Sequence, residues 1–219
     1  MTVAAAVLAA GRGIRLAGST PKPLVQLRGR PLAGWALDAA TASGLSPVLL
    51  VVGWQAEAVE RVAPAGTQVV RARSWRRGIA HSLRAALDAL EDRAQVEAVC
   101  IGLGDQPFIG PDAYRRLAGA YAAGATFAVA TYDGHRRNPV LLARDVWPKA
   151  RRLDADVGAR ALAHSVPVTE VDCTGTGRAV DVDTLDDLAQ LAETPTIDRP
   201  VDRPVEETVE ETAEETAEQ

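Results

Sequence analysis

Two glycines and three basic side chains stand close together near the start of the chain. Gly11 and Gly13 bracket Arg12, and Arg15 and Lys22 follow within the next nine residues. Glycine lets the backbone approach a ligand closely, and backbone N–H groups beside basic side chains bind anions. The pattern therefore predicts a loop that binds a phosphate chain.

Candidate metal ligands lie in two later segments. Asp105 follows an apolar run and precedes Gln106 and Pro107, a position from which a carboxylate can hold Mg²⁺ against a triphosphate. Asp183 is the second predicted ligand, with Asp181 as an alternative to it. Capping of a turn or a helix is the competing structural interpretation of these carboxylates.

Two other phosphate-binding motifs do not fit the glycine loop. A dinucleotide fingerprint needs a third glycine where Leu16 stands, and Pro21 and Pro23 oppose a long helix in this region. A P-loop would end in Gly-Lys-Ser or Gly-Lys-Thr, which this sequence lacks. The remaining alternative is an ordinary turn whose arginines are solvated.

The segments that carry these residues alternate between apolar runs and helical patterns. This alternation predicts an α/β fold whose mostly parallel sheet has helices on both faces, with ligands at the carboxyl ends of the strands. The predicted strands cover 3–10, 47–52, 69–70, 98–103, 126–131, 138–143 and 166–171, and a further strand ends at 181–184. The predicted helices cover 31–43, 55–62, 111–121, 156–163 and 185–192, and one more ends at 90.

The stretch LAAGRGIRLAGSTPKPL resembles the signature of nucleotidyltransferases that join an NTP to a phosphorylated acceptor. In that superfamily the glycine loop wraps the triphosphate, and Gly11, Gly13, Arg15 and Lys22 fall on the positions that contact phosphates. The resemblance implies a Rossmann-like three-layer α/β/α fold with a mixed sheet. It also implies Mg²⁺, or alternatively Mn²⁺, held by Asp105 and Asp183, and catalysis by Arg15, Lys22 and Asp105.

A second segment, residues 75–87, resembles the part of these enzymes that lies near the nucleotide base. Gly78 would permit close approach of the base, and Ser82 could hydrogen-bond to the base or the phosphates; a helix start packed by Trp75 is the alternative. The nucleotide-binding residues implied by the resemblance are Leu8, Ala9, Ala10, Gly11, Arg12, Gly13, Arg15, Lys22, Gly78 and Ser82.

Three further stretches resemble the molybdenum cofactor cytidylyltransferases. They are GDQPFIGPDAYRRL from 104, GHRRNPVL from 134 and LDADVGARAL from 153, with Ala155 where that family has glycine. The resemblance implies CTP as donor and a molybdopterin-type cofactor as acceptor, with Arg136, Asn138 and Arg160 at the acceptor. These arginines could alternatively be plain surface residues.

The same resemblance implies a molybdenum hydroxylase or its chaperone as a protein partner. Three other functions stay open from the sequence: a guanylyltransferase for a small phosphorylated acid, a sugar-phosphate nucleotidyltransferase, and a non-catalytic nucleotide or cofactor chaperone. A glycosyltransferase fits less well, because Asp105 has no adjacent carboxylate in a D-x-D pattern.

Composition separates an acidic end from the rest of the chain. Of the 219 residues, those from 193 to 219 include ten acidic and two basic ones, so the net charge of −5 becomes +3 without them. We predict a domain at 1–192 and a disordered acidic tail at 193–219. A +3 domain is too weakly basic to favour nucleic acid, and no apolar run suggests a membrane span or a signal peptide. Two cysteines in apolar contexts suggest a reducing, cytoplasmic setting.

Overall fold

The computed structural model describes residues 1–13 and 20–193. Within these residues the strands are β1 Thr2–Ala9, β2 Gln26–Leu27, β3 Arg30–Pro31, β4 Val48–Val52, β5 Gln68–Arg71, β6 Val96–Leu103, β7 Phe127–Tyr132, β8 His135–Ala143 and β9 Thr169–Asp172. The α-helices are α1 Leu32–Ala42, α2 Ala56–Glu60, α3 Ile79–Ala89, α4 Pro111–Ala122, α5 Trp147–Ala150 and α6 Leu185–Glu193. None of these helices is long and apolar enough to cross a bilayer.

Seven strands form one sheet in the order β5-β4-β1-β6-β8-β7-β9. All neighbouring pairs are parallel except those of β8, which runs antiparallel to β6 and to β7. This arrangement confirms the predicted mixed, mostly parallel α/β class. The segment from 133 onwards belongs to the same sheet, because β8 inserts between β6 and β7.

Alternation along β1 explains the three layers. Ala4, Ala6 and Leu8 face one apolar cluster with α3 and α5, and the residues between them face a second cluster with α1 and α4. Successive side chains of a strand point to opposite faces, so an uninterrupted apolar run is needed when helices cover both faces. The prediction of a buried central strand from this run is therefore correct.

The neighbouring strands β1 and β6 bring the two chemical segments together. They are parallel over their length, and Gly104 N donates to Leu8 O at 2.9 Å just beyond the last residue of β6. The glycine loop after β1 and the Asp105 turn after β6 consequently leave the same edge of the sheet side by side.

Several predicted elements differ from the structure. β8 begins at His135 rather than 138, because Asp133 (φ +51°) and Gly134 (φ +76°) form a tight two-residue turn that joins it to β7. Residues 156–158 are not helical; a 3₁₀ helix begins later, at Ala159–His164. The predicted acidic tail beyond 193 and Arg15 in the glycine loop lie outside the described residues.

Candidate functional site

A cavity of about 590 Å³ opens over the carboxyl ends of β1 and β6. It is lined by the end of β1 and the glycine loop, by the turn after β6, and by the start of α3 with the 3₁₀ turn Trp75–Arg77 that precedes it. Ten of the site residues predicted from the sequence line this cavity: Leu8, Ala9, Ala10, Gly11, Arg12, Gly13, Lys22, Gly78, Ser82 and Asp105.

Gly13 is a position where the fold requires glycine. Its φ is +60°, and a Cβ added there would lie 2.2 Å from Lys22 Cβ, closer than atoms can approach. The loop therefore packs directly on the aliphatic stem of Lys22. On the other side, the Arg12 guanidinium lies 5.2 Å from the centre of the Trp54 ring, a cation–π contact that holds this side chain near the cavity.

Lys22 joins the two predicted metal ligands. Its Nζ lies 2.6 Å from Asp105 Oδ2 and 2.6 Å from Asp183 Oδ1. The lysine side chain is only 13% exposed, whereas the carboxylates are 26% and 57% exposed. Burial by itself would lower the pKa of Lys22, but the charges and hydrogen bonds of the two carboxylates outweigh it and raise the pKa above its ordinary value. The ammonium thus stays charged at neutral pH.

Asp183 was predicted at the end of a strand, but the structure places it in an irregular segment held by backbone contacts. Val182 is fully buried beside Leu27 and Leu191, and its N–H donates to Asp105 O at 3.1 Å. This bond brings the segment to the turn after β6. The two carboxylates therefore meet because a loop docks on that turn.

A capping box fixes Asp183 from the other side. Asp187 Oδ2 accepts hydrogen bonds from the N–H groups of Asp183 at 2.9 Å and Thr184 at 2.8 Å, and Thr184 Oγ1 accepts from Asp187 N at 3.1 Å. The bond from Asp183, with those from Thr184, lowers the pKa of Asp187. The predicted cap of the last helix is present, with Asp187 and Thr184 as its partners.

Asp181, the alternative ligand, has a different partner. Its Oδ1 accepts from Gln106 Nε2 at 2.7 Å, and Gln106 is buried. Burial, together with the nearby negative charge of Asp105, raises the pKa of Asp181. Since Lys22 contacts Asp183 and not Asp181, the geometry favours Asp183 as the carboxylate that shares a cation with Asp105.

The donor set suits a hard divalent cation. Two carboxylates already share one positive charge, and Mg²⁺ is usually bound by one or two carboxylates with substrate phosphates and water completing its shell. In the part of the chain that the structure describes, no group of three or more His, Cys, Asp or Glu is arranged around a metal site. The site thus fits a metal that is completed by a phosphate-bearing ligand.

The far wall of the cavity is a contact between α3 and the loop at 154–156. Gly78 has φ +112°, and a Cβ there would lie 2.2 Å from the carbonyl carbon and oxygen of Ala155. Ile79 N donates to Asp156 Oδ1 at 3.3 Å, Ala80 N donates to Ala155 O at 3.2 Å, and His81 Nε2 lies 2.7 Å from Asp154 Oδ1. The loop therefore anchors to the first turn of α3.

Asp156, Arg76 and Gly104 line the cavity but were not predicted as site residues. Asp156 was predicted as the first residue of a helix, and it lies in the stretch LDADVGARAL that resembles the cytidylyltransferases. Its place at the cavity depends on a contact with a helix more than seventy residues earlier in the chain.

The predicted acceptor residues lie apart from the cavity lining. β8 runs antiparallel to β6, with Val140 opposite Ile101, so the start of β8, which includes Asn138, lies toward the edge where β6 ends and Asp105 follows. Arg136 pairs with Glu170 at 2.6 Å, and Arg160 Nη1 donates to Arg136 O at 3.2 Å. The structure thus groups the two arginines with each other, at the edge that also carries the cavity.

Residues 5–170 match the model of the MobA-like NTP transferase domain. The chain therefore belongs to the MobA-like NTP transferase family, a family of nucleotidyltransferase domains. Among curated relatives, Bifunctional protein GlmU of Trichlorobacter lovleyi is 37% identical over 131 residues, 58% of this chain and 28% of that protein. GlmU of Sorangium cellulosum is 31% identical over 178 residues, 77% of this chain and 37% of that protein. The chain spans less than half the length of these curated relatives.

Solved structures resemble nearly the whole described fold. Rv0371c from Mycobacterium tuberculosis H37Rv is 36% identical with a TM-score of 0.78, covering 88% of this chain and 98% of that chain. A structure of Rv0371c in complex with manganese is 33% identical with a TM-score of 0.75, covering 89% and 100% of the two chains.

Ala155 gives a first prediction, because it is an exposed non-glycine residue at φ +55°. Left-handed backbone costs alanine about 1–2 kcal/mol, part of which glycine recovers. Ala155→Gly should raise the free energy of unfolding by about 1 kcal/mol in urea denaturation. Ala85→Gly within α3 is the control and should lower it by about 1 kcal/mol. A loss of stability in Ala155→Gly would contradict the strained geometry.

Asp187 gives a second prediction. Removing its carboxylate in Asp187→Ala should lower the melting temperature by a few degrees at pH 7, because two N–H groups lose their acceptor. A lowered pKa means that this stabilisation is complete above the ordinary value of 3.8 and disappears as pH falls below it.

Melting curves of wild type and Asp187→Ala between pH 7 and pH 2.5 check this. Asp186→Ala, which removes the same charge from the same turn of α6, is the control and should change the melting temperature less. An Asp187 effect that persists unchanged at the lowest pH, or one equal to that of Asp186, would contradict the capping role.

Proposed function

We propose that this protein transfers a nucleotidyl group from an NTP to the phosphate of an acceptor and releases pyrophosphate. The observation that carries the proposal is the convergence of Asp105 and Asp183 on one cation beside a cavity bordered by the glycine loop. A triphosphate needs both features, a backbone that approaches closely and carboxylates that hold its counterion.

The reaction needs no protein nucleophile. An anionic oxygen of the acceptor phosphate forms a bond to the α-phosphorus of the NTP, and the bond from that phosphorus to the bridging oxygen breaks. The bonding electrons leave with pyrophosphate. The attacking oxygen already carries charge, so the protein contributes mainly position and charge neutralisation.

We assign roles to the residues on this basis. The N–H groups of the glycine loop and the cations Arg12 and Lys22 would bind the triphosphate, and the wall formed by Gly78 and Ser82 would hold the nucleoside. Arg15 is proposed as a second catalytic cation and lies outside the described residues. Arg136, Asn138 and Arg160 are proposed to contact the acceptor.

Asp105 and Asp183 would hold a divalent cation, with Mg²⁺ as our first proposal and Mn²⁺ as the alternative. Bound there, the cation would neutralise charge on the phosphate oxygens as pyrophosphate departs. The manganese complex of the similar Rv0371c supports a divalent metal in this family.

For the substrates we propose CTP and a molybdopterin-type cofactor, with a molybdenum hydroxylase or its chaperone receiving the product. The support is the resemblance of three stretches, from 104, 134 and 153, to the molybdenum cofactor cytidylyltransferases. Guanylyl transfer to a small phosphorylated acid, or transfer to a sugar phosphate, is the second candidate. A reducing compartment such as the cytoplasm suits the free, buried thiols of Cys100 and Cys173.

Pyrophosphate release with Mg²⁺ tests the function directly. CTP, GTP, ATP and UTP are each supplied with and without molybdopterin-type cofactor. Release that needs both CTP and this acceptor is the expected result. Release with GTP alone would move the protein to guanylyl transfer, and CTP binding without release from any donor would favour a non-catalytic chaperone.

Asp105→Ala should lower the rate of pyrophosphate release by about 10²-fold or more at saturating Mg²⁺, because one of the two carboxylates of the cation site is lost. Asp112→Ala is the control, since Asp112 is an exposed carboxylate on α4 that pairs with Arg115. Circular dichroism should show both variants folded. An Asp105→Ala protein with a near-wild-type rate would overturn the assignment of Asp105.

A further inference from the structure

We propose that Lys22 is the resident counterion of the metal site and excludes a divalent cation until the nucleotide arrives. This inference rests on the proposed function and adds an order of binding to it. Lys22 would exchange one set of anionic partners, the two carboxylates, for another, the phosphates of the NTP. Metal and nucleotide would then enter the site together.

Lys22 Nζ occupies the place that a divalent cation shared by Asp105 and Asp183 would need. The ammonium contacts one oxygen of Asp105 and one of Asp183, each at 2.6 Å. A divalent cation shared by these carboxylates would need the same oxygens and would stand next to a like charge. Repulsion between cations at such short range is strong, so a metal cannot bind tightly while Lys22 remains.

The ammonium of Lys22 can leave the two carboxylates without a change of fold. Gly13 packs against the stem of Lys22, as the clash of an added Cβ with Lys22 Cβ, Cγ and Cδ shows. The stem is thereby fixed, and only the outer bonds of the side chain need to rotate. The same residue lines the cavity together with Gly11 and Arg12, where we place the triphosphate.

The exchange would leave two carboxylates that are suited to a divalent cation. Once Lys22 moves to the phosphates, Asp105 and Asp183 are two neighbouring carboxylates without their shared cation, while the phosphates offer further oxygen ligands. This arrangement is the kind of site that Mg²⁺ and Mn²⁺ occupy. The nucleotide therefore improves the metal site in two ways, by removing a competitor and by adding ligands.

Binding of Mn²⁺ alone, without nucleotide, tests the inference. The signal of free Mn²⁺ in electron paramagnetic resonance gives the affinity of wild type and of Lys22→Met, with Lys22→Gln as a second variant should the first fail to fold. We expect the variant to bind Mn²⁺ about ten-fold more tightly or better. We also expect Mn²⁺ to raise its melting temperature more than that of wild type.

Two controls assign the effect to this site. Arg76→Met removes the same charge from the same cavity, where Arg76 lies over Trp75 rather than between carboxylates, and should leave Mn²⁺ affinity nearly unchanged. The double variant Lys22→Met with Asp105→Asn should lose the gain. An equal gain in Arg76→Met, or a gain that survives in the double variant, would overturn the inference.

The outcome is separate from the test of the proposed function. Wild type that releases pyrophosphate, together with Lys22→Met that binds Mn²⁺ no more tightly, would reject the counterion role and leave the function standing. Tighter Mn²⁺ binding by Lys22→Met, in a protein that uses no NTP, would reject the function and leave the counterion role standing.

Discussion

The ion pairs of Lys22 with Asp105 and Asp183 are the interaction on which the site depends. They join three segments that are far apart in sequence: the loop after β1, the turn after β6, and the irregular segment before α6. Two carboxylates this close would repel each other without a cation between them. The protein therefore needs a positive charge between the two carboxylates, and Lys22 supplies it in the absence of nucleotide. Catalysis, in our account, consists of replacing that charge by a metal and using the released ammonium on the phosphates.

The fold makes this convergence possible by geometry at one edge of the sheet. Parallel β1 and β6 deliver the glycine loop and Asp105 side by side, and the antiparallel β8 returns Asn138 to the same edge. The NTP and the phosphorylated acceptor would then meet at the edge where β1 and β6 end and β8 begins. The turn after β6 and the irregular segment docked on it position Asp105 and Asp183, while the opposite wall depends on a loop docked to the first turn of α3.

The sequence predicted what depends on local patterns and missed what depends on tertiary contacts. The apolar run of β1 and the glycines after it predicted one wall of the cavity, and the segments from 75 and 104 supplied further lining residues. Asp183 was expected at the end of a strand, yet a bond from Val182 N to Asp105 O decides its position. Asp156 was expected to begin a helix, whereas a bond from Ile79 N to its carboxylate brings it to the cavity. The start of β8 was also predicted wrongly, but here the signal is local, since Asp133-Gly134 is a recognisable hairpin turn in the sequence. The contact between the first turn of α3 and the loop at 154–156 could not be foreseen from either segment alone.

A crystal structure with Mn²⁺ and a non-hydrolysable CTP analogue would test the central claim most directly. Anomalous scattering locates the metal, and the map shows the end of Lys22. Our account predicts the metal bound to carboxylate oxygens of both Asp105 and Asp183, with Lys22 Nζ moved onto a phosphate oxygen. A metal bound elsewhere in the cavity, while Lys22 still spans the two carboxylates, would contradict it.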